Sequence, residues 1–200
     1  MAEVNLSLLR RRLLNWYRRN RRDLPWRRSR DPYAIWVSET MLQQTQVKTV
    51  LPYYARFVAA FPTLQTLAGA PLPRVLRLWS GLGYYRRAEN LHKAARRIVA
   101  QHGGTLPRDY DLLRALPGIG AYTAGALLSI AFDEKYPAVD GNVRRVFNRL
   151  FHTNGEAAVR KIAGKLAQTS QPGNLNQALM ELGATVCTPK EPRCGDCPVT

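Results

Sequence analysis

One stretch, residues 116–142, constrains the fold of this chain more than any other. It begins with the sequence Leu-Pro-Gly-Ile-Gly at residues 116–120 and continues with small and apolar side chains over residues 121–131. Glycines followed by such side chains predict a tight turn that leads directly into a helix. Asp140 stands where the next helix is expected to begin. The stretch therefore predicts a turn that holds an anion, with a carboxylate next to it.

The turn can bind a phosphate through its backbone. Gly118 and Gly120 permit a tight turn and a close approach of a ligand, and the amides at the start of the following helix point toward an anion. Leu116 opens the Leu-Pro-Gly-x-Gly sequence that is typical of a helix-hairpin-helix. A purely structural turn is the alternative. With Asp140 downstream, the pattern resembles the DNA glycosylase superfamily named for this hairpin, a Gly/Pro-rich loop and an aspartate.

Asp140 admits two interpretations. Either Asp140 or Asn142 would cap the following helix well, and most aspartates at such positions do only that. Beside a flipped nucleotide, however, a carboxylate at a helix start could stabilise an oxocarbenium ion as a base departs. The hairpin upstream favours the chemical role.

Glu39 is the candidate partner of Asp140 in catalysis. At helical spacing it neighbours Ile35 and Leu42, and desolvation on a partly apolar face raises the pKa of a carboxyl group. A raised pKa suits a general acid near neutral pH. An ordinary glutamate on a helix surface is the alternative. One proton donor and one electrostatic partner are what N-glycosidic cleavage requires, as in glycosidases that use two carboxyl groups.

Helical periodicity recurs along the chain and predicts an all-α fold. Few segments alternate with period two, whereas the apolar residues after Asp140 follow helical spacing. Asn5 and Asp31 are predicted helix caps. Further helices are predicted at about 33–45, 49–60, 64–68, 72–79, 86–101, 109–115, 156–167 and 175–185.

Charge indicates a polyanionic partner. The net charge is +16, and most of the basic residues are arginines, which suit bidentate phosphate contacts. We favour nucleic acid over a merely solubilising surface or a membrane surface. No apolar run approaches the roughly 20 residues that cross a bilayer, and the N-terminus lacks the apolar core of a signal peptide. The sequence predicts a soluble, cytoplasmic protein without a membrane partner.

The three cysteines, Cys187, Cys194 and Cys197, lie close together near residue 200. Such a group is not a disulfide framework and predicts a metal-ligand cluster, with free thiols as the alternative.

Four motifs together resemble the catalytic domain of MutY-type adenine DNA glycosylases: DPYAIWVSETMLQQTQV, GLGYYRRAENLHKAA, LPGIGAYTAGA and VDGNVRRV. The likeness runs from about Leu24 to the last residues. It implies two helical lobes. Residues 28–136 would form a six-helix barrel with the helix-hairpin-helix, and residues 1–27 and 137–200 would together form an iron–sulfur lobe.

The resemblance also implies a reaction on double-stranded DNA, the removal of adenine mispaired with 8-oxoguanine or guanine. The adenosine would be flipped out of the stack, as enzymes that act on a base require. By this resemblance Glu39 protonates adenine N7, and Asp140 stabilises the sugar cation or bonds transiently to C1′. Tyr122 and Asn142 match positions that support this chemistry.

Five residues match positions in the family that contact DNA. Leu116, Gly118 and Gly120 belong to the hairpin that would hold the DNA backbone. Gln44 and Tyr84 match residues that wedge into the duplex beside the lesion. The alternative for these two is a surface glutamine and a buried aromatic residue.

Position 122 distinguishes branches of the superfamily. Endonuclease III relatives carry a lysine there, whose amine attacks the sugar and leads to strand cleavage. Tyr122 therefore predicts a monofunctional glycosylase with little lyase activity. Thymine-removing mismatch glycosylases also carry tyrosine there, so they remain an alternative, although the Leu-Gln-Gln-Thr run at residues 42–45 favours the adenine enzyme.

The cofactor implied by the resemblance is a [4Fe–4S] cluster, which four cysteines hold. The spacing of Cys187, Cys194 and Cys197 fits the first three ligands, and the fourth would lie six residues after Cys197, past Thr200. The family's Nudix-like domain, which contributes much of the recognition of 8-oxoguanine, also falls outside the sequence. We expect a truncated, monomeric catalytic core, with a DNA-binding module inactivated by truncation as the alternative.

Overall fold

A computed structural model describes residues 5–153 and 155–199. These residues form helices joined by turns, with no β-strand among them, so the predicted all-α fold class is confirmed. No helix within these ranges is long and apolar enough to cross a membrane. Besides 3₁₀ helices at Pro25–Arg27 and Cys194–Asp196, the described residues form α1 (Leu6–Asn20), α2 (Pro32–Leu42), α3 (Val47–Ala60), α4 (Leu64–Gly69), α5 (Leu72–Trp79), α6 (Arg86–Gln101), α7 (Tyr110–Arg114), α8 (Ala121–Phe132), α9 (Gly141–Phe151), α10 (Glu156–Ala167) and α11 (Pro172–Thr185).

Both predicted caps start helices. The Asn5 side chain accepts a hydrogen bond from the Leu8 amide at 3.0 Å. The Asp31 carboxylate accepts from the amides of Tyr33 and Ala34 at 3.1 and 3.3 Å, and a proline follows it in the first turn of α2. Each cap satisfies amides that have no partner within their own helix.

The chain divides into two compact units. One comprises Asp23–Leu127, and the other comprises the chain up to Arg22 and from Leu128 onward. Helix α8 passes from the first unit into the second. The boundaries expected from the resemblance, at 27/28 and 136/137, lie five and nine residues further along. The assignment of the units to a barrel and an iron–sulfur lobe stays a prediction.

The core of the Asp23–Leu127 unit is aromatic. The ring of Phe57 makes edge-on contacts with the rings of Phe61 and Trp79, at centroid distances of 5.0 and 5.7 Å. Helix α2 is buried on nearly every side from Tyr33 to Met41. Consequently any polar side chain on α2 is carried into the interior of this unit.

The other unit packs α1, α9, α10 and α11 around a buried apolar core that includes Leu13, Phe147 and Leu182. One ion pair lies at the end of α1. The Glu181 carboxylate, which is fully buried, accepts Arg22 Nε at 2.7 Å and Nη2 at 2.9 Å. The pair raises the pKa of Arg22, chiefly through these hydrogen bonds, and it joins the end of α1 to α11.

Replacing Arg22 with alanine is expected to destabilise the protein by about 3 kcal/mol, since it removes the bidentate partner of the fully buried Glu181 carboxylate. We take the lower end of the usual range because Arg22 is partly exposed and solvent screens the pair. The melting temperature should fall by roughly 6–12 °C for a chain of this size. Arg28→Ala is the control, because the Arg28–Asp23 pair is exposed and should not change the melting temperature. Equal shifts in the two variants would contradict this role of the buried pair.

Candidate active site

Glu39 lies in the interior of the Asp23–Leu127 unit. It sits on α2, and only 6% of its surface is exposed. The Tyr122 hydroxyl group, at the start of α8, donates a hydrogen bond to Glu39 Oε2. Two residues that are distant in sequence are thus joined by a direct bond between carboxyl and phenol groups. The raised pKa of Glu39 stays a prediction. Its physical basis would be burial of the carboxyl group, which disfavours the charged form.

The predicted hairpin forms between α7 and α8. Gly118 has a φ of +78°, and a Cβ atom there would lie 2.8 Å from Asn90 Cβ, so a side chain is excluded both by the backbone and by the neighbouring helix. The Ile119 amide donates to the Leu116 carbonyl at 3.2 Å and closes the turn. Leu116 and Ile119 are buried whereas Gly118 is exposed. The hairpin is therefore anchored by its apolar residues and presents its glycine to solvent.

Two arginines bind carbonyl groups of the hairpin. Arg97 Nη1 donates to the Ala115 carbonyl at 3.0 Å, and Arg114 Nη1 donates to the Ile119 carbonyl at 3.3 Å. With carbonyls engaged in this way, the helix start that follows Gly120 offers backbone amides and a positive dipole end. This arrangement suits the phosphate-binding role predicted for Gly118 and Gly120.

Asp140 caps α9 and also holds a second bond. Its Oδ1 accepts from the Val143 amide at 2.7 Å, and its Oδ2 accepts from Asn142 Nδ2 at 2.9 Å. Of the two candidate caps named from the sequence, Asp140 is the one that caps. The cap uses only Oδ1 of the Asp140 carboxylate, so capping α9 is compatible with a role of this carboxylate in the chemistry.

Asn142 is fixed in turn by Arg145, which the sequence pattern did not single out. Arg145 Nη2 donates to Asn142 Oδ1 at 2.8 Å and to the Gly183 carbonyl at 2.6 Å, and its Nε donates to the Cys187 carbonyl at 2.8 Å. A Cβ at Gly183 would lie 2.5 Å from Asn142 Cβ, so α11 and Asn142 are in close contact. Asn142 and Arg145 are three residues apart on one helix, and this spacing is the sequence signal that could have predicted their contact.

A second residue missed from the sequence, Asn176, holds the loop that leads to Asp140. Asn176 is buried on α11; its Nδ2 donates to Ser129 Oγ at 2.8 Å and to the Tyr136 carbonyl at 2.9 Å. Its Oδ1 accepts from the Ala138 amide at 3.2 Å. The amide group thus fixes the backbone two residues before Asp140.

Gln44 and Tyr84 are both exposed, Tyr84 at 61%. Both have left-handed backbone conformations, with φ of +58° and +50°. Non-glycine residues hold such conformations only where their surroundings fix them. A side chain that wedges into DNA must be exposed, and both of these side chains meet that requirement.

The three cysteines line one cavity of about 170 Å³, whose walls also include Val146 and Leu182. Within the described ranges no three His, Cys, Asp or Glu side chains are close enough to hold a single metal ion. A four-iron cluster makes a different demand, because each cysteine binds a different iron and the thiols stand further apart. Three thiols that line one cavity are of the ligand type that such a cluster uses, and Cys187, Cys194 and Cys197 are the only cysteines in the sequence.

Glu39 and Tyr122 are brought together in one unit, and Asp140 and Asn142 are brought together in the other. That the two pairs act on one substrate stays a prediction.

Comparisons with known proteins show the family and the fold of this chain. Residues 37–172 match the family described as HhH-GPD superfamily base excision DNA repair protein. The adenine DNA glycosylase of Rattus norvegicus is 48% identical over 98% of this chain and 41% of its own length, and that of Homo sapiens is 47% identical over 100% and 39%. The chain spans about two fifths of the length of these relatives.

Solved structures share the fold. A thermostable thymine-DNA glycosylase superposes with a TM-score of 0.89 at 31% identity, over 96% of this chain and 92% of its own. A non-covalent Endonuclease III–DNA complex superposes with a TM-score of 0.82 over 98% and 94%, and at 23% identity it supports the fold alone.

Proposed function

The chain belongs to the HhH-GPD superfamily of base excision DNA repair proteins, and we propose that it is a monofunctional DNA N-glycosylase that removes adenine mispaired with 8-oxoguanine or guanine. The observation that carries the proposal is the hydrogen bond from the Tyr122 hydroxyl group to the buried Glu39 carboxyl group. It joins a buried acid to a phenol at the position where an amine would be needed for strand cleavage. The adenine DNA glycosylases among the relatives support adenine as the base.

In the proposed reaction the target adenosine leaves the duplex stack and enters the site. Glu39 donates a proton to adenine N7, so that the electron pair of the breaking N-glycosidic bond leaves with a neutral base. The sugar is left as an oxocarbenium ion, water adds to C1′ and gives its proton to solvent, and the Glu39 carboxylate takes up a proton from solvent. The products are free adenine and an abasic site.

Asp140 supplies the negative charge that this cation requires. Asn142 and the Val143 amide each hold one oxygen of the Asp140 carboxylate, so its orientation is set before substrate binds. Groups that are already aimed at a developing charge stabilise a transition state most effectively, because they do not reorganise during the reaction. Arg145 would act as a positioning residue through Asn142.

A thymine-removing mismatch glycosylase is the second candidate. It is favoured by the superposition on the thermostable thymine-DNA glycosylase and is equally compatible with Tyr122. A base-release assay separates the candidates. Adenine release from an A:8-oxoguanine duplex with no thymine release from a T:G duplex supports our proposal, and the reverse result selects the thymine enzyme. Binding without release of either base would indicate a DNA-binding module.

The family resemblance adds a [4Fe–4S] cluster to the proposal. Cys187, Cys194 and Cys197 would hold three of its irons as thiolates. When bound, the cluster would cross-link the segment that carries these cysteines. Arg149 also ties this segment to α9, since its Nη1 donates to the Thr188 carbonyl at 2.7 Å. Cys187 is also the residue whose carbonyl group accepts from Arg145.

Binding to duplex DNA should weaken steeply with salt, because the net charge of +16 favours phosphate contacts that release counterions. We expect the dissociation constant to rise by about 10³-fold between 50 and 200 mM salt. Fluorescence anisotropy of a labelled A:8-oxoguanine duplex measures it. The same titration with an undamaged duplex should give a similar slope at weaker affinity. A salt-independent dissociation constant would contradict the electrostatic part of the proposal.

A further inference from the structure

Arg87, in the first turn of α6, binds the end of α2. Its Nη1 donates to the Thr40 carbonyl at 3.2 Å, to the Met41 carbonyl at 2.8 Å, and to the Gln43 carbonyl. Its Nη2 donates to Thr45 Oγ1 at 3.2 Å. These acceptors lie on both sides of position 44 in the chain. The guanidinium group therefore fixes the backbone immediately before the first proposed wedge residue and binds the side chain immediately after it.

The same guanidinium group binds the second wedge loop. Nη2 also donates to the Leu82 and Gly83 carbonyls at 3.5 and 3.2 Å. The guanidinium carbon lies 5.2 Å from the ring centroid of Tyr84 and 5.5 Å from that of Trp79, within the range of cation–π attraction. Trp79 Nε1 donates to the Gly83 carbonyl at 3.1 Å and completes the contact.

Both wedge residues have conformations that need such support. Gln44 and Tyr84 are non-glycine residues with positive φ, and both side chains point into solvent rather than into a core. Apart from the contact of the Tyr84 ring with Arg87, packing of their own side chains therefore contributes little to holding them. The planar guanidinium fork can bind several carbonyls at fixed angles, whereas the ammonium group of lysine is a single point charge.

This arrangement has a desolvation cost. Burial lowers the pKa of Arg87 from its usual range, and its Nε is buried without a hydrogen-bond partner among the described residues. A buried charge of this kind contributes less to stability than its contacts suggest. The contacts of Arg87 do, however, directly orient the two loops that carry Gln44 and Tyr84.

We propose that Arg87 is a positioning residue that holds Gln44 and Tyr84 together in the conformation that enters the duplex, so that both wedges are set before DNA binds. The inference rests on the proposed function, since it assigns Gln44 and Tyr84 to the unstacking of DNA. If the wedge loops are already ordered in the free protein, DNA binding does not have to bear the entropic cost of ordering them. Loss of Arg87 should therefore impair unstacking only while the wedge side chains are present.

The test compares Arg87→Gln in two backgrounds, the unmodified chain and the Gln44→Ala/Tyr84→Ala double variant. The readout is the fluorescence increase of 2-aminopurine placed next to an A:8-oxoguanine mismatch, which reports unstacking and does not require base release. In the unmodified background R87Q should abolish most of the increase and slow single-turnover adenine release by about 10²-fold, as misplaced groups do. In the double-variant background R87Q should change either quantity by less than about threefold, since no wedge remains to be misplaced.

Equal effects in both backgrounds, or no effect in either, would overturn the inference, because a general structural role is independent of the wedges. Arg96→Gln, an exposed charge on the same helix, controls for loss of one positive charge and should leave the fluorescence increase unchanged. Signals are normalised to the folded fraction from thermal melts. If R87Q does not fold, Arg87→Lys is tested in the same two backgrounds instead. Full function of R87K would overturn the proposed role of the planar guanidinium group.

Failure of this inference is distinguishable from failure of the proposed function. An unmodified chain that releases no adenine contradicts the proposed function, and the fluorescence comparison still decides the role of Arg87.

Discussion

Replacing Glu39 with glutamine is expected to slow adenine release by about 10²- to 10⁴-fold, the usual contribution of a general acid. Glutamine keeps the shape of the side chain and can still accept the Tyr122 hydrogen bond, but it has no proton to donate to adenine N7. Single-turnover release from an A:8-oxoguanine duplex measures the loss. Duplex affinity should stay within about threefold, because Glu39 is buried and carries none of the proposed phosphate contacts.

The control for this prediction is Glu89→Gln, the same change on α6 of the same unit. Glu89 has no assigned role in the chemistry, and its variant should release adenine at the unmodified rate. Near-normal turnover by Glu39→Gln would contradict the assignment of the proton donor. Equal loss of binding and release would indicate that the substitution damages the fold instead.

Replacing Asp140 with asparagine is expected to slow release by about 10³-fold, comparable to removing a group that stabilises charge in a transition state. The substitution removes the negative charge that would face the sugar cation. It keeps the cap of α9, because asparagine caps a helix about as well as aspartate. The melting temperature should therefore stay nearly unchanged while the rate falls, and both quantities are measured on the same preparation.

Asp31→Asn provides the matched control, since Asp31 caps α2 through the amides of Tyr33 and Ala34 in the same way. Both variants exchange a capping carboxylate for an amide, but only the one at position 140 should lose activity. If Asp140→Asn releases adenine as fast as Asp31→Asn does, Asp140 is a cap and nothing more.

Most helix positions were accessible from the sequence, because periodicity and caps are local. The predicted helices at 72–79, 86–101 and 156–167 coincide with α5, α6 and α10. The helix expected at about 33–45 ends at Leu42, and Arg87 satisfies the Thr40, Met41 and Gln43 carbonyls there, which have no partner within the helix. That contact joins segments more than forty residues apart, so no local pattern indicates it.

The same distinction applies to the candidate site. Asp140 could be predicted as a cap from its position before α9, and Gly118 could be predicted in a turn that requires a positive φ. The bond between Tyr122 and Glu39 could not, because it depends on how α2 and α8 pack. The sequence assigns no individual role to Arg145 or Arg87 beyond their share of the net charge and their place in the quoted motifs. In the structure both bind backbone carbonyls, and charge patterning does not distinguish an arginine that binds its own protein from one that binds phosphate.

The most direct test of the proposed function is single-turnover base release by the unmodified chain, with A:8-oxoguanine, A:G and T:G duplexes in parallel. We expect free adenine from the first two, no thymine from the third, and strands that remain intact until the abasic sites are cleaved by hot alkali. Borohydride should trap no covalent complex, because Tyr122 offers no amine to the sugar. Release of thymine without adenine, or strand cleavage with a trapped complex, would contradict the proposal of a monofunctional adenine DNA glycosylase.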